Sequence, residues 1–101
     1  MIYVVVSIRV KAGKLHEFLE LFKSNAPIAK EDRGCIQYVP AVDIDTDLPP
    51  QKLDENVVTL IEQWESLEAL HNHLVTPHMV AFFEKEKSLV ENVSLKVLQE
   101  A

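Results

Sequence analysis

Ile2, Val4, Val6, Ile8 and Val10 alternate with Tyr3, Val5, Ser7, Arg9 and Lys11, a period of two that gives a β-strand one wholly apolar face. After Gly13 the period changes: Leu15, Phe18, Leu19, Phe22 and Ala26 recur at helical spacing, with Glu17, Glu20 and Lys23 on the other side. That stripe predicts an amphipathic helix. Alternation returns between Cys35 and Val42 through Ile36, Tyr38 and Val42, predicting a second strand. The stretch 43–55 carries Asp43, Asp45, Asp47, Pro49, Pro50, Asp54 and Glu55 with no apolar period, and reads as a solvated insertion in a hairpin. Val57 to Glu65 predicts a third strand, with Val58, Leu60, Glu62 and Trp64 on one face, so that a carboxylate and an indole share it. Ser66 can cap a helix built on Leu67, Leu70, His71 and Leu74, and Thr76-Pro77 supplies a fresh N-cap and first-turn proline for another. Met79, Phe82, Phe83 and Val90 keep that last helix amphipathic, and Val93, Leu95 and Val97 alternate as a final strand.

The order β-α-β-β-α-β is the α+β, ferredoxin-like pattern, in which the helices cover one face of a four-stranded antiparallel sheet. Residues 1–101 read as a single domain carrying the acidic loop insertion 43–55. Tyr3, Val5 and Ile61 make the strands' second face too apolar to stand exposed, which predicts a sheet-to-sheet homodimer. A domain of this size buries only about 60–70% of its unfolded surface, so a second copy adds useful burial.

Composition narrows the function. Ten Lys and Arg against sixteen Asp and Glu give a net charge of -6, a field that repels nucleic acid and anionic membranes. Cys35 is the only cysteine, which excludes a disulfide framework and a multi-thiolate zinc site and points to a reducing compartment. With no signal-peptide pattern at the N-terminus and no apolar run of ~18 residues, the expectation is a cytoplasmic protein without a membrane span.

The candidate chemistry is concentrated between Glu62 and His78. This segment holds three of the four histidines, His71, His73 and His78, together with Trp64 and the inward-facing Glu62. Imidazole exchanges protons near neutral pH, and a buried carboxylate beside it can orient the ring and hold its proton. A base-and-orienter pair of His73 or His78 with Glu62 follows. The same residues also read as structural, Glu62 at a strand end and the histidines satisfying backbone groups at the helix break. His71 and His73 do not face one another on a helix, and no HExxH-type spacing is present, so no metal site is expected. Trp64 reads either as a pocket wall or as core. Cys35 reads as a small core hydrophobe, and Arg9 and Arg33 as solvated or paired with nearby acids. The alternating Asp43, Asp45 and Asp47 lack the glycine and the terminal glutamate spacing of a calcium loop, and a charged flap is expected there.

Taken together, Gly34-Cys35-Ile36-Gln37-Tyr38, Glu62-Gln63-Trp64-Glu65-Ser66-Leu67-Glu68-Ala69-Leu70, His73, Thr76-Pro77-His78 and Phe82 resemble the antibiotic biosynthesis monooxygenase family, in particular its quinol-monooxygenase-like branch, over essentially the whole chain. The resemblance implies a dimeric α+β barrel of two ferredoxin-like units, each with a pocket between helices and sheet. It implies a monooxygenase that oxidises a quinol or related electron-rich aromatic with O2 and needs no flavin, haem or metal. On that reading His73 or His78 is the base, Glu62 its orienting carboxylate, and Trp64, Phe82, Phe83 and Tyr38 line the substrate pocket. The family's haem-degrading branch is disfavoured, because Ser7 stands near its first-strand asparagine and Phe83 near its axial histidine. Two alternatives remain: a non-catalytic dimeric module that binds a small molecule, and an isomerase of a phosphorylated sugar-like autoinducer, for which Arg9 and Arg33 would be the anion contacts.

Overall fold

The computed structural model describes all 101 residues. Strand β1 (Ile2–Val10) leads to helix α1 (Leu15–Lys30), strands β2 (Cys35–Ala41) and β3 (Val57–Trp64), helices α2 (Leu67–Leu74) and α3 (Pro77–Glu86), and strand β4 (Val90–Leu98). The sheet order is β2-β3-β1-β4 and every pairing is antiparallel, the ferredoxin-like arrangement expected from the strand and helix order. Val4, Val6, Ile8 and Val10 of β1 and Val58, Leu60, Glu62 and Trp64 of β3 are all buried beneath the helices, as their period of two requires. Phe18, Phe22 and Ala26 of α1 close over them, and Phe22 stacks on Tyr38 with ring centroids 5.4 Å apart. No helix is long and apolar enough to cross a membrane.

Local caps set the helix boundaries. Ser66 accepts from the Ala69 amide at 3.1 Å to start α2, and Thr76 accepts from the Met79 amide to start α3, with Pro77 in its first turn. The break is tied back by the Thr76 hydroxyl, which donates to the His73 carbonyl at 2.8 Å, so the two helices meet at a fixed corner. Three details depart from the sequence pattern. Ile36 is exposed while Tyr38 is buried, because the β2–β3 register slips between Cys35 and Gln37, and Val42 is exposed beyond the end of β2. A bulge of this kind resets which residues face inward. Val90 opens β4 rather than extending α3, which stops at Glu86. Within α2, His71 points to solvent, and Leu70 and His73 face the core.

The sheet's other face carries Tyr3 and Val5 from β1, Ile61 from β3 and Val39 from β2, with Ile61 paired to both Val5 and Val39. Ile61 is 40% exposed and Tyr3 41%, so a single chain leaves this apolar centre uncovered. The 43–55 loop joins the β2 and β3 ends that lie beside Arg9, whereas Trp64 pairs with Ile2 at the opposite end. Arg9 donates to Asp54 at 2.6 Å and anchors this loop.

Candidate active site

The chain leaves α1 through a turn that places a carboxylate. The Cys35 amide donates to the Asp32 carbonyl at 3.0 Å, and Gly34, third in the turn, has φ +84°, the left-handed value a type II turn needs at that position. Asp32 is thereby held against the α2–α3 corner, where it meets both inward histidines. His73 Nδ1 lies 2.6 Å from Asp32 Oδ2, and His78 Nε2 lies 2.9 Å from Oδ1 and 3.0 Å from Oδ2. A carboxylate only accepts, so each of these ring nitrogens carries its proton toward Asp32. That fixes His73 as the Nδ1–H tautomer and leaves Nε2 with a lone pair. This nitrogen makes no hydrogen bond to another protein group.

His73 forms part of the wall of a cavity of about 190 Å³ between the helices and the sheet. Most of that wall is apolar, including Val6, Phe22, Leu60, Met79, Phe82 and Leu95. Its ionisable groups are Tyr38, Glu62, His73 and Glu86, and neither Lys nor Arg reaches it. Burial pulls the His73 pKa down, and the hydrogen bond and charge of Asp32 offset this only in part, so the ring is neutral and able to accept a proton at neutral pH. Burial also pushes the Tyr38 hydroxyl up, with the negative charge of Glu62 adding to the effect.

The positions of the expected site residues separate into two groups. His73, Glu62, Tyr38, Phe82 and Phe83 line the cavity. His78 stands behind His73 on the shared carboxylate, and Trp64 lies behind it as well, fully buried with its ring 4.5 Å from the imidazole. Trp64 therefore supports His73 and does not line the cavity. Glu62 does not orient a histidine: its Oε1 accepts the Trp64 indole N–H at 2.8 Å, and burial raises its carboxyl above the usual range, with that hydrogen bond opposing. The carboxylate hydrogen-bonded to His73 is that of Asp32, not that of Glu62. Nothing in the local sequence marked Asp32, which is 41 residues from His73 and stands in a charged stretch beside Glu31 and Arg33. The glycine two residues later, which builds its turn, was the available signal. Arg9 and Arg33, the expected anion contacts, are both absent from the cavity wall.

Asp32, His73 and His78 present donor atoms within 4.8 Å of one another, a set that divalent zinc-type ions accept. Ligand atoms ~2.0 Å from a tetrahedral zinc stand about 3.3 Å apart, whereas His73 Nδ1 and Asp32 Oδ2 are separated by 2.6 Å. The spacing is that of a shared proton, with the charge-assisted hydrogen bond shorter than a neutral one.

Residues 1–85 match the family model described as antibiotic biosynthesis monooxygenase. The chain is 35% identical over 101 residues to the "Probable quinol monooxygenase YgiN" of Escherichia coli (strain K12), covering 98% of this chain and 97% of that protein. Among solved structures, PA3566 from Pseudomonas aeruginosa superposes with a TM-score of 0.83 at 22% identity, covering 99% of this chain and 93% of the other. Rv0793 from Mycobacterium tuberculosis gives a TM-score of 0.82 at 18% identity, covering 99% and 94%. Both structures share the fold.

Proposed function

Because the chain belongs to the antibiotic biosynthesis monooxygenase family, and is thus a monooxygenase, we propose that it oxidises a quinol or a related electron-rich aromatic with O2, with His73 as the base and no cofactor. The observation that carries this reading is the one imidazole on a mostly apolar wall: His73 borders the cavity while its Nδ1–H is held by Asp32, which leaves Nε2 as its basic nitrogen. A neutral quinol resists giving an electron to O2, and its phenolate gives one far more readily. His73 Nε2 takes the hydroxyl proton, Asp32 stabilises the imidazolium that forms, and His78 holds the second side of the carboxylate. The apolar wall keeps water from the charge-separated pair. Phe22, Phe82 and Phe83 give an aromatic substrate a stacking surface.

The overall reaction balances as one quinol plus O2 giving one hydroxylated quinone plus water. Simple oxidation would instead give the quinone and hydrogen peroxide, so the products separate enzyme chemistry from autoxidation. The test is oxygen uptake by chelator-treated protein with a panel of reduced benzoquinones and naphthoquinones, using ¹⁸O2 and mass analysis of the product. Incorporation of one ¹⁸O atom, lost about 10²–10⁴-fold in His73→Ala, supports the proposal. Peroxide alone, or full activity in His73→Ala, overturns it.

The unit proposed to act is a homodimer closed through the face around Ile61, since that face is apolar at its centre and uncovered in one chain. The sugar-phosphate alternative loses support from the absence of a cation on the cavity wall, because a phosphate group needs Arg, Lys or a helix N-terminus to hold its charge. The binding-module alternative shares the same cavity, and the ¹⁸O experiment separates it from the oxygenase.

A further inference from the structure

Glu86 ends α3 and lines the same cavity that His73 borders. No side chain donates to it and no cation pairs with it, and burial alone raises its pKa to about 7. A half-buried carboxyl beside a mostly apolar wall, with no protein group to bond, keeps hydrogen-bonding capacity that a ligand in the cavity can take up. The other ionisable groups facing the cavity are differently engaged. Glu62 of β3 accepts from Trp64, and His73 of α2 is held by Asp32. Tyr38 of β2 feels the negative charge of both Glu62 and Glu86, which puts its hydroxyl in the neighbourhood of each. From β1, β4 and α1 the wall receives only apolar side chains, among them Val4, Val93, Leu95 and Phe22. The cavity thus has one basic nitrogen, two carboxyls and no positive side chain.

We propose that Glu86 is the substrate-selecting contact: its carboxyl hydrogen-bonds the second oxygen of a neutral dihydroxyaromatic whose first hydroxyl lies at His73, and it keeps anionic aromatics out. The inference rests on the quinol reading above and specifies its substrate class. As an acid Glu86 donates to that oxygen, and as a carboxylate it accepts from the hydroxyl, so it serves the diol in either state. A cavity of ~150 Å³ accommodates benzene, and about 190 Å³ suits one ring or two fused rings. A sulfonate or carboxylate on the ring would sit within several ångströms of Glu86 and Glu62 with no cation to balance it. At an effective dielectric of about 20, repulsion at ~6 Å weakens binding by roughly 100-fold.

Anaerobic calorimetric titration tests this with three probes: 1,4-dihydroxynaphthalene, 1-naphthol and 1,4-dihydroxynaphthalene-2-sulfonate. Wild type is expected to bind the neutral diol at least about 10-fold more tightly than its sulfonate. Glu86→Gln keeps a hydrogen-bonding amide and removes the charge, so it should retain diol affinity and cut that discrimination to about 3-fold or less. It should also abolish any change of diol affinity between about pH 6 and pH 8 that wild type displays. Glu86→Leu should weaken the diol about 10-fold and leave 1-naphthol unchanged. Diol affinity unaltered in Glu86→Leu, or discrimination unaltered in Glu86→Gln, overturns the proposal. The oxygenase reading stands or falls separately. Glu86-dependent diol binding without ¹⁸O incorporation refutes catalysis and preserves the selecting contact, whereas His73-dependent incorporation indifferent to Glu86 does the reverse.

Discussion

Replacing Asp32 by Asn removes one charge and one acceptor at almost constant volume, and its effect can be worked from the three contacts that the carboxylate makes. The amide can present its NH2 to His73, which forces that ring into the Nε2–H tautomer. The nitrogen at the cavity then carries a proton and cannot act as a base. Alternatively the amide oxygen stays on His73 and the NH2 faces His78 Nε2. His78 must then move its own proton to Nδ1, where a sealed N–H without an acceptor replaces an unpartnered lone pair. The first arrangement, which leaves His78 unchanged, is therefore favoured. On the proposed mechanism charge adds a second loss, because His73 becomes cationic when it takes the substrate proton. The side chains of His73 and Asp32 are 1% and 15% exposed, so bulk-water screening does not apply. Two unit charges ~4 Å apart attract by about 4 kcal/mol at an effective dielectric of about 20, equivalent to about 10³ in rate. Asp32→Asn is expected to lower kcat by about 10²–10³ with an unchanged circular dichroism spectrum, and ¹⁵N NMR of the imidazoles should display the altered His73 tautomer. A folded variant with kcat within about 3-fold of wild type would refute the assignment of Asp32 and, with it, the tautomer argument.

Three other outcomes follow from the fold. Gly34→Ala should destabilise by at least about 2 kcal/mol in urea titration, because the new Cβ would lie 2.6 Å from the Ala69 Cβ at a backbone φ of +84°; Ala69→Gly in the same chain should restore part of the loss, and a change below about 0.5 kcal/mol would refute the steric argument. The His73 pKa is depressed in the folded protein, so the unfolded chain takes up a proton near pH 6.5 that the folded one refuses; the stability linked to His73 is complete above that pH and is lost as pH falls from 6.5 through the folded value. Glu62 and Glu86, both raised, act in the opposite direction and lose stability as pH rises, so the test is the difference between wild type and His73→Gln in urea midpoints at about pH 8 and pH 5.5, which should shrink toward acid. Ile61→Asp puts a charge at the centre of the uncovered sheet face and should convert the proposed dimer to a monomer in light scattering at micromolar concentration; a wild-type protein already monomeric there refutes the proposed homodimer.

The sheet and helices were legible because their causes are local. A period of two in β1 and β3, a helical stripe in α1, and side-chain caps at Ser66 and Thr76 are all written in neighbouring residues, and each element formed where its pattern lay. Where the reading slipped, the cause was a feature that periodicity does not record. The bulge at the start of β2 changed which way Ile36 faces, and α3 stopped short of Val90 because the chain must turn to reach β4. The candidate site was legible only by density. The run from Glu62 to His78 attracted notice through its histidines and indole, and His73 does border the cavity. The contacts within that run are not those that nearness in sequence suggests: Glu62 bonds Trp64 and not a histidine, and Trp64 is not on the cavity wall.

Tertiary structure made the pairing differently. Glu62 and Trp64, two apart on one strand face, bond each other at 2.8 Å, which aims that carboxyl at the indole and away from the histidines. The buried His73 imidazole takes its acceptor from elsewhere in the chain, the turn leaving α1. Asp32 occupies that turn, and Gly34 lets the turn close beneath Ala69. The same reasoning explains Glu86, which no sequence pattern distinguished from the solvated Glu84 two residues before it. The helix rotates about 100° per residue, so two positions separate a side chain that pairs with Lys87 in solvent from one that faces an apolar cavity without a partner. That difference of face, invisible to charge counting, is what makes Glu86 a group for a substrate to satisfy.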